Sequence, residues 1–156
     1  EQYVAVMAGY GGAPTSFYAP DAAVFEYQNN GRILAFKLNG DDTPIPPKQM
    51  KLNTPEPPKK EIKPEMVAKG AVIYYNYCET CHGGFGKSHY SQHPDLSKMP
   101  PGTHDLFNKI VLEGLLSSAG MANFSNSLNK DDVEALHHYL IKEQREHYEK
   151  EKVDKE

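Results

Sequence analysis

The sequence predicts a mainly helical fold with a short N-terminal β segment, and two changes of pattern along the chain support this prediction. Residues 1–42 contain short apolar runs typical of strands, residues 43–64 are rich in proline, and apolar residues then recur with helical spacing. We therefore divide the chain into a β segment (1–42), a linker (43–64), a helical domain (65–150) and a charged tail (151–156). A chain of 156 residues has room for one ordinary domain and an appendage.

Two strands are expected in the β segment. Residues 3–8 are apolar at successive positions, which is typical of a strand covered on both faces, and residues 32–38 form a second run that ends at the turn signal Asn39-Gly40. Two short strands do not make an independently stable sheet. The segment is therefore expected to belong to a larger β structure, to pack on the helical domain, or to pair with another chain through its edges.

The linker is defined by its prolines. Seven of the 12 prolines of the chain lie in residues 43–64. Proline-rich stretches favour an extended polyproline II conformation, so we expect a stiff spacer that separates the β segment from the helical domain.

The first helix should begin at Pro64, which suits a first-turn position. Gly70 lies one turn before Tyr74, and a residue without a side chain there allows a second helix to cross closely. The helix leads directly into Cys78. Its expected apolar face consists of Met66, Gly70, Ile73, Tyr74 and Tyr77.

Two further helices follow. One starts near Thr103 and runs to about Gly114, carrying Leu106, Ile110 and Val111. The last begins after Asn129, an N-cap residue followed by the early carboxylates Asp131 and Asp132. Its buried stripe should comprise Val133, Leu136, Leu140 and Ile141, and beyond residue 142 its Lys- and Glu-rich continuation is expected to be a solvated extension that frays.

The first helix ends in Cys78-Glu79-Thr80-Cys81-His82, which contains both cysteines of the chain. Two thiols at this spacing, followed by a histidine, are what covalent haem attachment requires: the sulfurs form thioethers and the histidine ligates the iron. With two cysteines a four-thiol zinc site would need a partner chain. The main competing interpretation is a redox dithiol, which normally follows a strand, whereas a helical stretch precedes this motif.

Met121 is the candidate for the sixth iron ligand. It lies about forty residues downstream, after Gly120, which lets the backbone approach closely, and before Phe124, which can close the edge of the pocket. A methionine thioether raises the reduction potential of a haem. The alternative is that Met121 only fills a gap in the core.

Pro94 is the candidate for positioning the histidine, because its carbonyl can accept the free N–H of His82 and fix the tautomer that the iron needs. The alternative for Pro94 is an ordinary turn. The remaining histidines repeat no metal-ligand spacing, and surface or capping positions are expected for them: His89, His93, His104, His137, His138 and His147.

Composition narrows the function classes. The net charge is −4, without the clustered basic surface that nucleic-acid binding calls for. No apolar run is long enough to cross a membrane.

A specific set of residues resembles a small monohaem cytochrome c of the class I fold, with three or four helices around a covalent haem: Gly70, Tyr74, Cys78, Cys81, His82, Pro94, Leu96, Met121 and Tyr139. Residues 3–12 and 31–40 resemble the last strands of the β-propeller in PQQ-dependent quinohaemoprotein alcohol dehydrogenases. In that family a propeller, a linker and a cytochrome c domain follow one another in this order. The propeller repeats are rich in tryptophan, which this chain lacks.

The resemblance implies that the haem accepts electrons from reduced PQQ in a propeller domain or subunit and passes them to a small redox protein or a quinone-linked acceptor. PQQ, calcium and the catalytic base would lie in earlier propeller blades, so the chain alone is not expected to be catalytic. Haem attachment takes place outside the cytoplasm in bacteria, which implies a periplasmic protein and a chain that is a mature product or the tail of something longer.

Two rival functions remain open. If Met121 does not bind the iron, the site is a five-coordinate sensor or a peroxidase-like centre with an open position. Alternatively, the β segment adds to the sheet edge of another chain and the haem is a passive structural group.

Overall fold

The computed structural model describes residues 2–9, 22, 26–28, 30–48, 50, 52–83 and 93–154. It confirms a mainly helical chain with a two-stranded N-terminal sheet. The strands are β1 (Tyr3–Ala8) and β2 (Arg32–Lys37). The helices are α1 (Pro64–Tyr77), α2 (Glu79–His82), α3 (Pro101–Asp105), α4 (Phe107–Leu112) and α5 (Lys130–Val153), with 3-10 turns at Leu96–Lys98 and Ser117–Ala119.

The two strands form an antiparallel ladder in which Tyr3 faces Lys37 and Ala8 faces Arg32. A turn closes β2, where the Gly40 N–H donates to the carbonyl of Lys37. The expected cover on both faces of β1 is not found in the described structure: its residues from 3 to 7 are exposed, and Met7 is 87% exposed. An apolar strand in this state has faces available for further structure.

The core of the helical domain is the crossing of α1 and α5. Gly70 makes this crossing possible, because a Cβ atom built on it would lie 2.1 Å from the carbonyl oxygen of Ala135 and 2.8 Å from Cβ of Tyr139. One turn later the rings of Tyr74 and Tyr139 pack with centroids 5.6 Å apart. The prediction that Gly70 admits a crossing helix is confirmed.

Helix α5 begins as predicted. The Asn129 side chain accepts from the backbone N–H of Asp132, and the Asp132 carboxylate accepts from the N–H of Asn129, which makes a reciprocal capping box. The predicted apolar stripe is also confirmed, since all four of its residues are buried: Val133, Leu136, Leu140 and Ile141.

The prediction for the middle helix is partly wrong. The chain begins its helix at Pro101 and interrupts it at Leu106, so that two short helices replace one. Leu106, one of the three apolar residues named for this helix, is 41% exposed, whereas Phe107 is buried. The reason is that His104, two residues earlier, is held inward by hydrogen bonds to α5, and residues two apart on a helix point to different faces, so Leu106 lies toward solvent.

The linker differs from the expected free spacer, whereas the Lys- and Glu-rich continuation is helical as expected. Linker residues from Thr54 onward lie along α5 and are hydrogen-bonded to it. Helix α5 continues without a break to Val153, past the position where we placed the start of the charged tail, and Glu151 is bonded to Thr54. Among the described helices, none combines the length and hydrophobicity needed to cross a bilayer.

A buried polar network joins α3 to α5, contrary to the expectation that these histidines lie at the surface. Gln144 donates through Nε2 to the carbonyl of Met99, 2.9 Å away, so its Oε1 is the acceptor for His104 Nε2 at 2.7 Å. His104 Nδ1 then accepts from His137 Nε2 at 2.9 Å. His137 also stacks on Phe107, with ring centroids 4.6 Å apart. Both imidazoles are thus held in the neutral form with defined tautomers.

This network predicts a pH dependence of stability. Burial, assisted by the neighbouring His104, lowers the pKa of His137 to about 4. In the unfolded chain His137 is protonated near pH 6.5, whereas in the folded chain its protonation requires a lower pH. Its contribution to the free energy of unfolding is therefore fully present above pH 6.5 and is lost as the pH falls toward 4. We expect His137 to account for a loss of about 2 kcal/mol, after allowance for solvent screening. Urea unfolding at pH 7 and pH 4.5 measures it, and an equal loss in His137→Gln would contradict the assignment.

Candidate haem site

The cysteine motif lies on a single helical turn that continues from α1. The N–H of Cys78 donates to the carbonyl of Tyr74 at 2.8 Å, and the N–H of His82 donates to the carbonyl of Cys78 at 2.9 Å. Cys78 is half-buried and Cys81 is exposed, and residues three apart in a helix lie on one face. Gly83, at φ +69°, ends the turn.

Tyr74 fixes the chain immediately after the motif. Its hydroxyl donates to the carbonyl of Gly83 at 2.6 Å, and the ring is buried in the core. Burial raises the pKa of Tyr74, so the hydroxyl stays a donor throughout the physiological range. The position of His82 is therefore tied directly to the packing of α1.

His82 is oriented by Pro94. Its Nδ1 lies 2.9 Å from the carbonyl oxygen of Pro94, and since a carbonyl only accepts, Nδ1 carries the proton. Nε2 is then unprotonated in the neutral ring and is free to ligate a metal. Burial lowers the pKa of His82, although the Pro94 carbonyl acts in the opposite direction. A neutral imidazole with this tautomer is the form that iron requires.

Asp95 supports this arrangement and was not identified from the sequence. One carboxylate oxygen accepts from the backbone N–H of Ser97 at 2.9 Å and from its hydroxyl at 2.7 Å. The bonds begin the 3-10 turn and fix the chain beside Pro94. The sequence signal that could have identified Asp95 is the Pro94-Asp95 pair followed by Ser97, which is typical of an Asx turn.

The protonation of Cys78 argues against a redox dithiol. Burial, followed by the neighbouring Cys81, raises the pKa of Cys78 to about 12. A reactive dithiol needs a thiolate, which is favoured by nearby positive charge or a helix N-terminus that lowers the pKa. Cys78 is therefore a neutral thiol in a partly apolar setting, which is not the state of a reactive dithiol.

Met121 lies on a turn that is fixed at both ends. Gly120 has φ +93°, a left-handed conformation that favours glycine, and the N–H of Met121 donates to the carbonyl of Leu116 at 3.2 Å. The N–H of Phe124 donates to the carbonyl of Val111 at 2.9 Å, which attaches the segment to α4. Met121 is half-buried and packs against the core.

Phe124 connects this turn to the cysteine motif. Its ring meets that of Tyr77 edge to face, with centroids 6.1 Å apart, and Tyr77 directly precedes Cys78. Phe124, Met121 and Cys78 all pack against the same buried cluster. The sequence candidates therefore lie around one side of the α1–α5 core.

Two further histidines, His89 and His93, follow the cysteine motif in the sequence. The ring of His93 lies 6.5 Å from that of His82, centroid to centroid, on an exposed part of the chain. His89 lies outside the described residues, as does the rest of the loop at 84–92. Within the described structure no three histidine, cysteine, aspartate or glutamate side chains form a metal cluster.

The residues present fit a covalently bound haem. Two unpaired thiols on one helical face, an imidazole with its Nε2 free and a thioether on a fixed turn are the donor set of a haem with one histidine and one methionine ligand. The side chains around them are largely apolar, as such a pocket requires.

Comparison with known proteins shows what this chain is similar to. Residues 65–140 match the family described as cytochrome c oxidase, cbb3-type, subunit III. The chain is 34% identical over 154 residues to quinohaemoprotein alcohol dehydrogenase ADH IIB of Pseudomonas putida, a match that spans 94% of this chain and 21% of the relative. It is 33% identical over 153 residues to the dehydrogenase subunit of the alcohol dehydrogenase (quinone) of Acetobacter aceti. This match spans 97% of this chain and 20% of the relative.

The chain matches the C-terminal cytochrome c domain of these quinohaemoprotein alcohol dehydrogenases. It spans about a fifth of the length of the relatives that it matches. A cytochrome c domain implies a haem, and such domains transfer electrons through it.

Two solved structures are similar to this chain. The quinohaemoprotein alcohol dehydrogenase ADHIIG from Pseudomonas putida HK5 aligns with a TM-score of 0.72 and 30% identity over 93% of this chain and 21% of its own. The enzyme from Comamonas testosteroni aligns with a TM-score of 0.61 and 23% identity over 93% and 20%, and supports the fold alone. The predicted fold class of the cytochrome c domain is confirmed.

Proposed function

We propose that this chain is an electron-transfer module with one covalent haem c, ligated by His82 and Met121. Cys78 and Cys81 form the thioethers. The observation that carries the proposal is the single helical turn bearing both thiols and His82, with His82 Nδ1 held 2.9 Å from the Pro94 carbonyl. When bound, the haem supplies one-electron redox chemistry.

The residues of the chain have separate tasks in this proposal. The two cysteines hold the macrocycle against α2, and the Pro94 carbonyl holds His82 in the tautomer that ligates iron. Gly120 and the bond from Phe124 to α4 hold the turn that carries Met121. Because both ligands are on fixed segments, little rearrangement accompanies a change of one electron.

We further propose that the module accepts electrons from the reduced PQQ of an alcohol dehydrogenase domain or subunit in the periplasm and passes them to a small redox protein or a quinone-linked acceptor. The support is the names of the relatives, which are quinohaemoprotein alcohol dehydrogenases and alcohol dehydrogenases (quinone), and the order of a β segment, a linker and a cytochrome c domain. The exposed faces of β1 and β2 are consistent with a missing neighbouring domain.

Covalent attachment can be tested by producing the chain in a bacterial periplasm that contains a haem-attachment system. We expect haem to stay with the polypeptide on a denaturing gel and after acid–acetone extraction. The double variant Cys78→Ala/Cys81→Ala should lose it, whereas Thr80→Ala, an exposed position between the two thiols, should retain it. Haem that is extracted from the unmodified chain would contradict the proposal.

Carbon monoxide separates electron transfer from the rival open-site function. A reduced haem with both axial positions occupied should bind carbon monoxide slowly or not at all. Rapid binding by the unmodified chain would favour a five-coordinate sensor or peroxidase-like centre instead.

A further inference from the structure

The linker is bound to the haem domain over most of its second half. We call residues 52–60 the strap. The Thr54 N–H donates to Glu151 Oε2 at 2.8 Å and its hydroxyl to Glu151 Oε1 at 2.9 Å, while Gln144 Nε2 donates to the carbonyl of Pro55 at 3.2 Å. Farther along, Arg145 donates to the carbonyls of Pro58 and Lys60 at 2.6 and 2.5 Å.

The strap runs antiparallel to α5. Its first bonds are to Glu151 near the end of the helix, and its last is the ion pair of Lys60 with Glu134 at 2.5 Å. Seventeen residues separate the two glutamates, a rise of about 25 Å. Residues 54–60 in a polyproline conformation span about 19 Å, and side-chain reach covers the difference. The extended strap therefore receives hydrogen bonds from the side chains of α5.

Glu151 is the centre of the bonds at the start of the strap. Besides both Thr54 groups, it accepts from Lys98 Nζ at 3.2 Å, and Lys98 also donates to the carbonyl of Leu52. Thr54 is only 4% exposed. This carboxylate thus joins the strap, the 3-10 turn beside Pro94 and the end of α5.

The first half of the linker is bound to the β segment. The N–H of Gln28 donates to the carbonyl of Pro47 at 2.8 Å, and Arg32 donates to the carbonyl of Pro44 at 3.0 Å. Lys48 pairs with Glu26 at 2.5 Å.

The two anchored halves leave residues 49–51 as the connection between them. Three residues span at most about 11 Å. If the bonds of Glu151 were lost, residues 49–54 would be free up to Pro55, whose carbonyl still accepts from Gln144, and would reach about 19 Å as a polyproline spacer. The bonds of Glu151 to Thr54 therefore shorten the available reach of the haem domain about twofold.

We propose that Glu151 is a positioning residue that holds the strap on α5 and thereby keeps the haem domain at a fixed distance from the β segment. This inference rests on the proposed function, in which the electron donor lies on the side of the β segment. Electron tunnelling weakens steeply with distance, so a domain on a short tether transfers electrons at a more uniform rate than one on a long tether.

The test measures hydrogen exchange of the strap and a label distance, neither of which depends on haem spectra. In Glu151→Ala we expect at least tenfold faster exchange of the Thr54 amide. Nitroxides attached to p-acetylphenylalanine at the exposed positions 37 and 130 should give a single narrow distance distribution in the unmodified chain and at least a twofold broader one in Glu151→Ala. Glu151→Gln, which keeps an acceptor oxygen for Thr54, should give intermediate values.

Two controls isolate the strap. Glu149→Ala removes a carboxylate on the same helix that pairs only loosely with Lys152, at 3.7 Å, and should change neither measurement. Asn129→Ala destabilises α5 by about 1 kcal/mol at its other end without contacting the strap, and should leave the label distance unchanged.

Three outcomes overturn the proposal: no change in either measurement, faster exchange with an unchanged distance, or equal broadening in Asn129→Ala. No change in either measurement would mean that Glu151 does not hold the strap. Faster exchange with an unchanged distance would mean that Glu151 holds the strap without fixing the position of the domain. Equal broadening in Asn129→Ala would mean that general destabilisation of α5 causes the effect. Failure of the proposed function would appear elsewhere, as loss of covalent haem or rapid carbon monoxide binding.

Discussion

Replacing Gly70 with alanine is expected to destabilise the helical domain by at least about 3 kcal/mol. The added methyl group would lie 2.1 Å from the Ala135 carbonyl oxygen and 2.7 Å from its carbon, and both are backbone atoms that cannot rotate away. Helices α1 and α5 would have to separate, which would weaken the packing of Tyr74 on Tyr139 and of the residues behind them.

The matched control is Gly102→Ala, because Gly102 is also helical and a Cβ atom there meets nothing within 4 Å. We expect this variant to lose no stability and to gain up to about 1 kcal/mol from helix propensity. Urea unfolding followed by circular dichroism compares the two. A loss below about 1 kcal/mol for Gly70→Ala would mean that the close crossing does not exist.

Replacing Met121 with alanine is expected to cause the largest change in redox properties. Loss of the thioether ligand should remove the weak long-wavelength band of the ferric protein, open the sixth position to carbon monoxide and lower the reduction potential by on the order of 0.2 V, within the ~0.8 V span that axial ligands cover. The backbone bonds of the turn, from Met121 to Leu116 and from Phe124 to Val111, do not depend on the side chain.

Met66→Ala is the control for this variant, because Met66 is also half-buried and packs against the same core without being a ligand candidate. It should lose stability but keep the band, the potential and the resistance to carbon monoxide. If Met121→Ala kept all three, Met121 would be a core residue only. If both variants lost them, the effect would be one of packing and not of ligation.

Features with local signals were predictable. Asn129 and Asp132 form their capping box within four residues, and Pro64 begins α1 because its ring and missing N–H suit a first turn. The cysteine motif occupies one helical turn, so its spacing specifies its geometry. Gly70 was predictable only in part. Its spacing from Tyr74 and Cys78 indicated that a second helix crosses there, but it did not identify Ala135 as the contact.

Features that depend on distant pairs were not predictable. Thr54 and Glu151 are 97 positions apart, and Arg145 and Pro58 are 87 apart. Glu151 lies among many lysines and glutamates, and nothing in its neighbours distinguishes it from Glu149, which makes only a surface pair.

The histidines show the same limit within the core. His104 is buried because Gln144 and His137, from a helix thirty residues away, satisfy both of its ring nitrogens. On the same short stretch the apolar Leu106 is exposed while the polar His104 is buried. Hydrophobic periodicity cannot identify a polar side chain whose partners are supplied by tertiary structure.

The antiparallel course of the strap also determines where the polypeptide crosses the surface of the helical domain. The linker first contacts the helical domain at Thr54, which is bonded to Glu151, and α5 ends two residues beyond Glu151. The two ends of this part of the chain therefore lie side by side. A domain whose two ends are adjacent can be joined to an exposed loop of another protein without stretching either one. A fusion to the end of α5 is therefore expected to lie beside the strap.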